Sequence, residues 1–342
     1  MNPRKTVELA TPALIIDVDA LEKNLSLMAE RHPGSKLRPH TKAHKCTEIA
    51  RLQLSHSHTN FTCATPREII GMAAAGVGSD YLLANEVLDG DRLSALAKVS
   101  ENARVTIAID SLETMNAAVR AGLRDVLIDV NVGLPRCGIA PDLAGQLADT
   151  ARKAGMTVRG VMGYEGHLMM VDSDEKRKNR VAESMTLLAR AAQDVGGEII
   201  SAGGTGTWDM HDETGINELQ AGSYALMDTH YAQLKIPFAQ ACFLLGTVIS
   251  RSKDWLVVDV GLKSLTTDHG NPSVDGYEVL FCSDEHTTLV ANKDSAIGLA
   301  NIGEKLRVRP SHIDPTMAMH SVAWATRADE ILECWQIDLR GW

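Results

Sequence analysis

The sequence predicts an α/β protein, a (β/α)8 barrel of the TIM type followed by a mainly β C-terminal domain. Three observations carry this. From residue 35 to about 220, eight short β-like runs alternate with helical ones. No G-x-G-x-x-G follows the first run, which weakens the alternative of a doubly wound dinucleotide fold. After Tyr231 the long helical runs stop, and strand-like segments separated by turns take over. The expected division is a barrel over residues 13–235 and a β domain over 236–342, with residues 1–12 a candidate addition to the β domain.

In chain order, Ala13–Asp17 is a short apolar run, after which Asp19 is expected to cap a helix with Glu22 as its capping-box partner. The eight β-like runs are Lys36–His40, Asn60–Thr62, Tyr81–Ala84, Val105–Ile109, Val126–Asn131, Thr157–Gly163, Glu198–Ala202 and Asn217–Leu219. Between them, Thr65-Pro66-Arg67-Glu68 opens a helix with a cap, a proline at its first position and a glutamate at its third. Gly76, Gly122 and Gly155 stand where helices end. In the second half, strands are expected at Ala241–Ser252, Trp255–Val260, Tyr277–Cys282, Thr287–Ala291, Lys305–Arg309, Val322–Thr326 and Glu330–Ile337, with Asp268-His269-Gly270-Asn271-Pro272 as one of the turns.

At 342 residues the chain is long enough for a barrel-sized domain and a smaller one. A net charge of −10 with no basic run argues against a nucleic-acid partner. No apolar stretch approaches the ~18 residues of a membrane helix, and Met-Asn-Pro-Arg-Lys lacks the apolar core of a signal peptide. Six scattered cysteines show no metal or disulfide spacing, so a reduced, cytoplasmic protein is expected.

Chemistry-bearing residues gather at the ends of the β-like runs, which in a parallel barrel line the active-site mouth. Ser35–Cys46, S-K-L-R-P-H-T-K-A-H-K-C, places Lys42 at the end of the first run. An ammonium desolvated there loses basicity and becomes a nucleophile, whereas a solvated basic turn is the competing reading. Further on, Asp129–Gly138 supplies a glycine and Arg136, and Gly163-Tyr164-Glu165-Gly166-His167 supplies an aromatic ring and an imidazole. Gly203-Gly204-Thr205-Gly206-Thr207 suits a phosphate cradle of backbone N–H groups, and Gln220-Ala221-Gly222-Ser223 follows the last run. Taken singly, each could be an ordinary turn or a core histidine. In Pro310–Thr316, P-S-H-I-D-P-T, residues two apart on an extended segment share a side. His312 and Asp314 are therefore candidate ligands of a divalent ion, Mn²⁺ or Mg²⁺ foremost and Zn²⁺ as an option, against the plainer reading of surface polar residues.

Seven stretches in this order, R-P-H-T-K-A-H-K, V-G-L-P-R-C-G, Y-E-G-H, G-G-T-G-T, E-L-Q-A-G-S-Y-A-L-M-D, V-D-V-G-L-K-S-L-T-T-D and P-S-H-I-D-P-T, give the chain a resemblance over nearly its whole length to a known group. It resembles the D-threonine aldolases and eukaryotic-type D-serine dehydratases, fold-type III pyridoxal-phosphate enzymes related to alanine racemase. The resemblance implies a barrel that holds pyridoxal 5'-phosphate, a C-terminal β domain, and a homodimer with active sites near the subunit interface. Residue by residue, Lys42 looks like the lysine that carries the cofactor covalently, with Lys45 as the competitor. Arg136 matches the arginine at the cofactor's phenolic oxygen. His167, with Tyr164 beside it, matches the histidine next to the ring, and Lys42 and His167 are the candidate catalytic residues. Thr205, Gly206, Thr207, Gly222 and Ser223 fall where the phosphate is held. Gln220 stands where alanine racemases have an arginine facing the pyridine nitrogen, and the racemase tyrosine of the β domain has no counterpart. The His-x-Asp at His312 and Asp314 is similar to the aldolase metal motif, whereas the dehydratases have His-x-Cys. The implied activity is cleavage of a D-3-hydroxy amino acid such as D-threonine or D-3-hydroxyaspartate to glycine and an aldehyde. The alternatives are a D-serine or D-3-hydroxyaspartate dehydratase and, more remotely, a non-catalytic cofactor carrier.

Overall fold

The first strand, β1 (Ala13–Asp17), is apolar on both faces and joins a nine-stranded sheet of the C-terminal half, pairing with Cys242–Arg251 and Val322–Arg327. The structure is a computed structural model that describes residues 4–292 and 298–342. Residues 1–3 of the N-terminal reading, and 293–297 of the expected β domain, lie outside the described residues. One compact unit comprises Met28–Lys42, Ile49–Gly222 and Gly341–Trp342, and the other Met1–Leu27, Ala43–Glu48 and Ser223–Arg340. This differs from a single boundary near residue 235. The hydrophobic run at 13–17 finds its strand partners in the second half of the chain rather than in the barrel.

In the first unit, seven parallel strands follow chain order: β2 (Asn60–Cys63), β3 (Asp80–Leu83), β4 (Arg104–Ile109), β5 (Asp125–Asp129), β6 (Thr157–Gly163), β7 (Ile199–Ala202) and β8 (Glu218–Leu219). The ring closes through the segment around Pro39. Leu37 bridges to Leu219 and His40 to Thr62, both parallel. Pro39 has no N–H to offer, so the segment pairs as isolated bridges rather than as a regular strand. Leu82, Ala108, Leu127, Met162 and Ile199 form one buried layer across this sheet. Helix Pro66–Ala74 starts as the sequence predicts, with the Thr65 side chain accepting from the Glu68 N–H, and Gly122 ends another in the left-handed conformation at φ 86°.

In the second unit, β9 (Cys242–Arg251), β10 (Leu256–Val258), β11 (Ser273–Val274), β12 (Tyr277–Cys282), β13 (Thr287–Ala291) and β14 (Lys305–Arg309) close on themselves, because β9 pairs with both β14 and β10. Beyond β9 the sheet continues through β1 to β15 (Val322–Arg327) and β16 (Glu330–Gln336). Leu9, Ala13, Ile15, Phe243 and Leu245 pack on one face, with Trp324 and Ile331 against them.

Two local expectations change. The helix Val18–Arg31 follows β1 without a break and is capped by Asp17, whose Oδ1 accepts from the Ala20 N–H at 3.1 Å; Asp19 is inside the first turn and pairs with Arg327. Residues Ile313–Met319 form a helix where an extended segment was expected. Among the described residues no helix is long and apolar enough to cross a membrane.

Candidate active site

The strand ends of the first unit bring several of the expected residues together. The 3₁₀ turn Thr41–Ala43 follows the closing segment and carries Lys42, whose Nζ lies 5.9 Å from the centre of the Tyr164 ring. The Arg136 guanidinium, from the loop after β5, lies 5.2 Å from the same ring. His167 sits in the turn Gly166–Leu168 just after β6 and packs against Gly133 of that loop, where an added Cβ would come within 3.2 Å of its imidazole. Burial, and then the Arg180 charge, lower the His167 pKa, which favours a neutral ring. Among the described residues its buried Nδ1 has no hydrogen-bond partner.

After β7 the glycine turn packs tightly on this cluster. A Cβ on Gly206 would meet the Met169 carbonyl oxygen at 2.3 Å, and one on Gly204 would touch the Tyr164 ring at 3.4 Å. Only glycine allows that approach. Thr205, Gly206 and Thr207 are all buried in a 3₁₀ turn. The Thr207 hydroxyl is committed inside the protein: it donates to Glu165 Oε1 at 2.7 Å and accepts from the Gly204 N–H at 3.3 Å. The Thr207 hydroxyl therefore supports the turn from within the protein.

Gln220 is the end of a polar chain. Its Nε2 donates to Ser201 Oγ (2.9 Å), which donates to Glu218 Oε1 (2.8 Å), and Glu218 Oε2 faces Arg38 Nε at 2.9 Å. Because the carboxylate only accepts, the serine must accept from the amide, which fixes the Gln220 carbonyl as the group turned away from the chain. Gly222 is buried, and Ser223 begins the second unit with its hydroxyl donating to Asp314 Oδ1 at 3.2 Å. That hydroxyl also already has a protein partner. The alternative lysine, Lys45, has a left-handed backbone (φ 49°), and its carbonyl accepts from the Leu339 N–H.

Within the second unit, His312 is the N-cap residue of helix Ile313–Met319 and Asp314 lies in its first turn. The extended i, i+2 geometry is thus replaced by a cap and a helical turn. Pro315 fits there because first-turn N–H groups have no intrahelical partner anyway. The corner is tied down by Asp228, which is fully buried and accepts from the N–H groups of Tyr231 (2.8 Å) and Ile313 (3.0 Å). Burial raises the Asp228 carboxyl to about 6. His312 Nδ1 is 2.6 Å from Asp268 Oδ2, and the His269 ring stacks on His312 at 3.9 Å between centroids. Donor atoms of Asp268, His269 and His312 all lie within 4.8 Å of one another, a set of nitrogen and oxygen donors suited to a divalent cation.

Asp268 and His269 were missed as site residues, although one of the quoted motifs ends at Asp268. The turn Asp268–Pro272 that contains them lies more than forty residues before His312, so no local pattern joins the two. The antiparallel register Ser273↔Arg309 makes the turn before β11 and the segment after β14 leave the sheet side by side.

Residues 16–230 match the family described as alanine racemase, N-terminal domain, and residues 241–326 match a serine dehydratase domain. The chain is 34% identical to the D-threonine aldolase of Arthrobacter sp, over 97% of this chain and 93% of that protein. It is 32% identical to the 3-hydroxy-D-aspartate aldolase of Paracoccus denitrificans (strain Pd 1222), over 98% of this chain and 93% of the relative. The crystal structure of D-threonine aldolase from Filomicrobium marinum superposes with a TM-score of 0.93 at 35% identity, covering 99% of this chain and 98% of that one. With both halves matched and an identity above thirty per cent along nearly the full length, the chain belongs to the D-threonine aldolase and D-serine dehydratase group of the alanine racemase N-terminal-domain family.

Proposed function

We propose that this chain is a pyridoxal-phosphate- and divalent-cation-dependent aldolase that cleaves D-3-hydroxy amino acids to glycine and an aldehyde. The observation that carries the reading is the convergence of Lys42 and Arg136 on the Tyr164 ring, next to a buried His167 nitrogen with no partner among the described residues. Lys42, Arg136, Tyr164, Gln220 and the turn at Thr205 and Gly206, with Gly222, are the residues we assign to hold the cofactor. When bound, pyridoxal phosphate supplies the electron sink that makes a bond at an amino acid's α-carbon breakable. Neutral His167 is the residue we assign to take the β-hydroxyl proton of the substrate. A cation, Mn²⁺ or Mg²⁺ ahead of Zn²⁺, which acidifies an alcohol bound to it, is assigned to His312 with Asp268 and His269, whose donor atoms gather together; Asp314, outside that set of three and bonded to Ser223, is kept as a further candidate ligand. A carboxylate rather than a thiol beside His312 supports the aldolase over the dehydratase. The assembly is read as a homodimer and its location as the cytoplasm, the latter from six scattered cysteines without disulfide spacing.

Product analysis with D-threonine and with D-3-hydroxyaspartate, with and without a chelator, tests this. Acetaldehyde or glyoxylate plus glycine, lost on chelation, is the expected result. Ammonia and a 2-oxo acid would replace the reading with a dehydratase, and cofactor binding without turnover would replace it with a carrier.

A further inference from the structure

Glu165 lies between two residues assigned to the site, yet it has no part in the chemistry above, and it is wholly buried. A buried carboxylate is costly to keep ionised unless every oxygen is satisfied. Here both are. Oε2 accepts from the Gly203 N–H at 3.2 Å, Oε1 accepts from the Thr207 hydroxyl at 2.7 Å, and His211 Nε2 lies 3.3 Å from Oε1. The same imidazole nitrogen is 3.2 Å from the Thr207 hydroxyl. Burial would raise the Glu165 carboxyl, but the hydrogen bond and charge of His211, followed by Thr207, carry it below the usual carboxylate range.

The contacts decide which donors of the glycine turn remain for a ligand. Gly203 N–H is taken by Glu165, Gly204 N–H by the Thr207 hydroxyl, and Thr207 N–H by the Gly204 carbonyl. Those three donors are turned inward. Gly206 is pressed against the Met169 carbonyl where no side chain fits, and its N–H is not one of those three engaged donors.

We infer that Glu165 is a positioning residue for a phosphate: its carboxylate holds Gly203 and Thr207 so that the turn presents its Gly206 side to the cofactor's 5'-phosphate. The inference rests on the cofactor reading above and deepens it. Its consequence is a specific one. Loss of the clasp weakens binding of the phosphorylated aldehyde and leaves its dephosphorylated counterpart, which makes no phosphate contact, nearly untouched.

The test is titration of the purified apoprotein with pyridoxal phosphate and with pyridoxal, followed by absorbance, for the parent chain and for Glu165→Ala, Glu165→Gln and Thr207→Val. In Glu165→Ala and Thr207→Val the preference for the phosphorylated aldehyde is expected to fall about tenfold, the scale of one buried hydrogen bond left unmade. In Glu165→Gln the preference is expected to stay within about threefold of the parent, because the amide satisfies the same contacts once the threonine hydroxyl rotates. Thr207→Val nearly preserves shape, so it carries the test should the alanine variant fail to fold. An unchanged preference in the alanine and valine variants, or equal loss of affinity for both aldehydes, overturns the inference while leaving the cofactor reading in place. So does a glutamine variant as poor as alanine, since charge rather than turn geometry would then be acting. A parent chain with no preference for the phosphorylated aldehyde sinks the cofactor reading and the inference with it.

Discussion

Lys42 and Lys45 come from one short motif, and the sequence offered both as the reactive amine. The Lys42 amine lies 5.9 Å from the Tyr164 ring, and the Lys45 carbonyl accepts from the Leu339 N–H, so Lys42 is our assignment. Lys42→Ala should lose the absorbance of covalently held cofactor and nearly all turnover, and Lys45→Ala should keep both. The reverse outcome in the spectra would move the assignment. At His167, burial favours the neutral base, so protonation disables it only below the ordinary histidine value of 6.5. The acid limb of kcat against pH should therefore fall below that value. His167→Gln should lower kcat by about 10²–10⁴ and remove the limb, as expected for a lost general base. A variant that keeps the limb would assign it to another group. Identity at this scale was legible because glycine, lysine and histidine at strand ends mark chemistry. The Thr207 hydroxyl was not, since its partner is a glutamate 42 residues away in another loop.

The helix Ile313–Met319 shows how an element is decided by a contact that no local pattern contains. Asp314 precedes Pro315, a pairing biased toward extended backbone, which agrees with the extended segment expected from the sequence but not with the helix that forms. Asp228, 85 residues earlier, supplies the carboxylate that receives the first helical N–H. Asp228→Ala should remove that cap and leave the N–H groups of Ile313 and Tyr231 without their acceptor. A loss of roughly 1–3 kcal/mol in urea unfolding is expected, together with weaker Mn²⁺ binding by calorimetry. Undiminished Mn²⁺ affinity would show that the corner holds its shape without the cap. By contrast, Thr65-Pro66 and Gly122 were read correctly because a cap or a left-handed glycine acts within one turn of the chain.

Across the barrel unit, a layer of buried charge joins distant strands. Asp80 at the start of β3 faces Arg38 of the closing segment at 3.0 Å and Arg159 of β6 at 2.9 Å, and Arg38 also faces Glu218 of β8. Removing Asp80 would leave Arg38 with Glu218 and Arg159 with the more exposed Glu198 as their remaining carboxylate partners. Asp80→Ala is expected to cost roughly 1–3 kcal/mol in denaturant unfolding, and Asp80→Asn less. Burial would raise the Asp80 carboxyl, but Arg38 and Arg159 outweigh it and hold the carboxyl below its ordinary 3.8. The folded chain then binds fewer protons there than the unfolded one. Asp80's stabilisation is complete above that value and disappears as pH falls through the lower folded pKa. An acid-unfolding midpoint that does not move in Asp80→Asn would show that other carboxylates set it.

The sequence by itself determined the alternation of strands and helices, the helix caps, the glycine turns, and the order of motifs that identifies the family. All of these follow from backbone sterics and side-chain period within a few residues. Only the tertiary structure decided that Ala13–Asp17 leaves the barrel for the β sheet, that Asp268 and His269 stand at His312, and that Glu165 occupies the Thr207 hydroxyl. Each depends on strand register or on a buried polar group finding its partner across tens or hundreds of residues. Hydrogen-bond satisfaction in a packed interior enforces such a choice, and no local pattern in the chain records it.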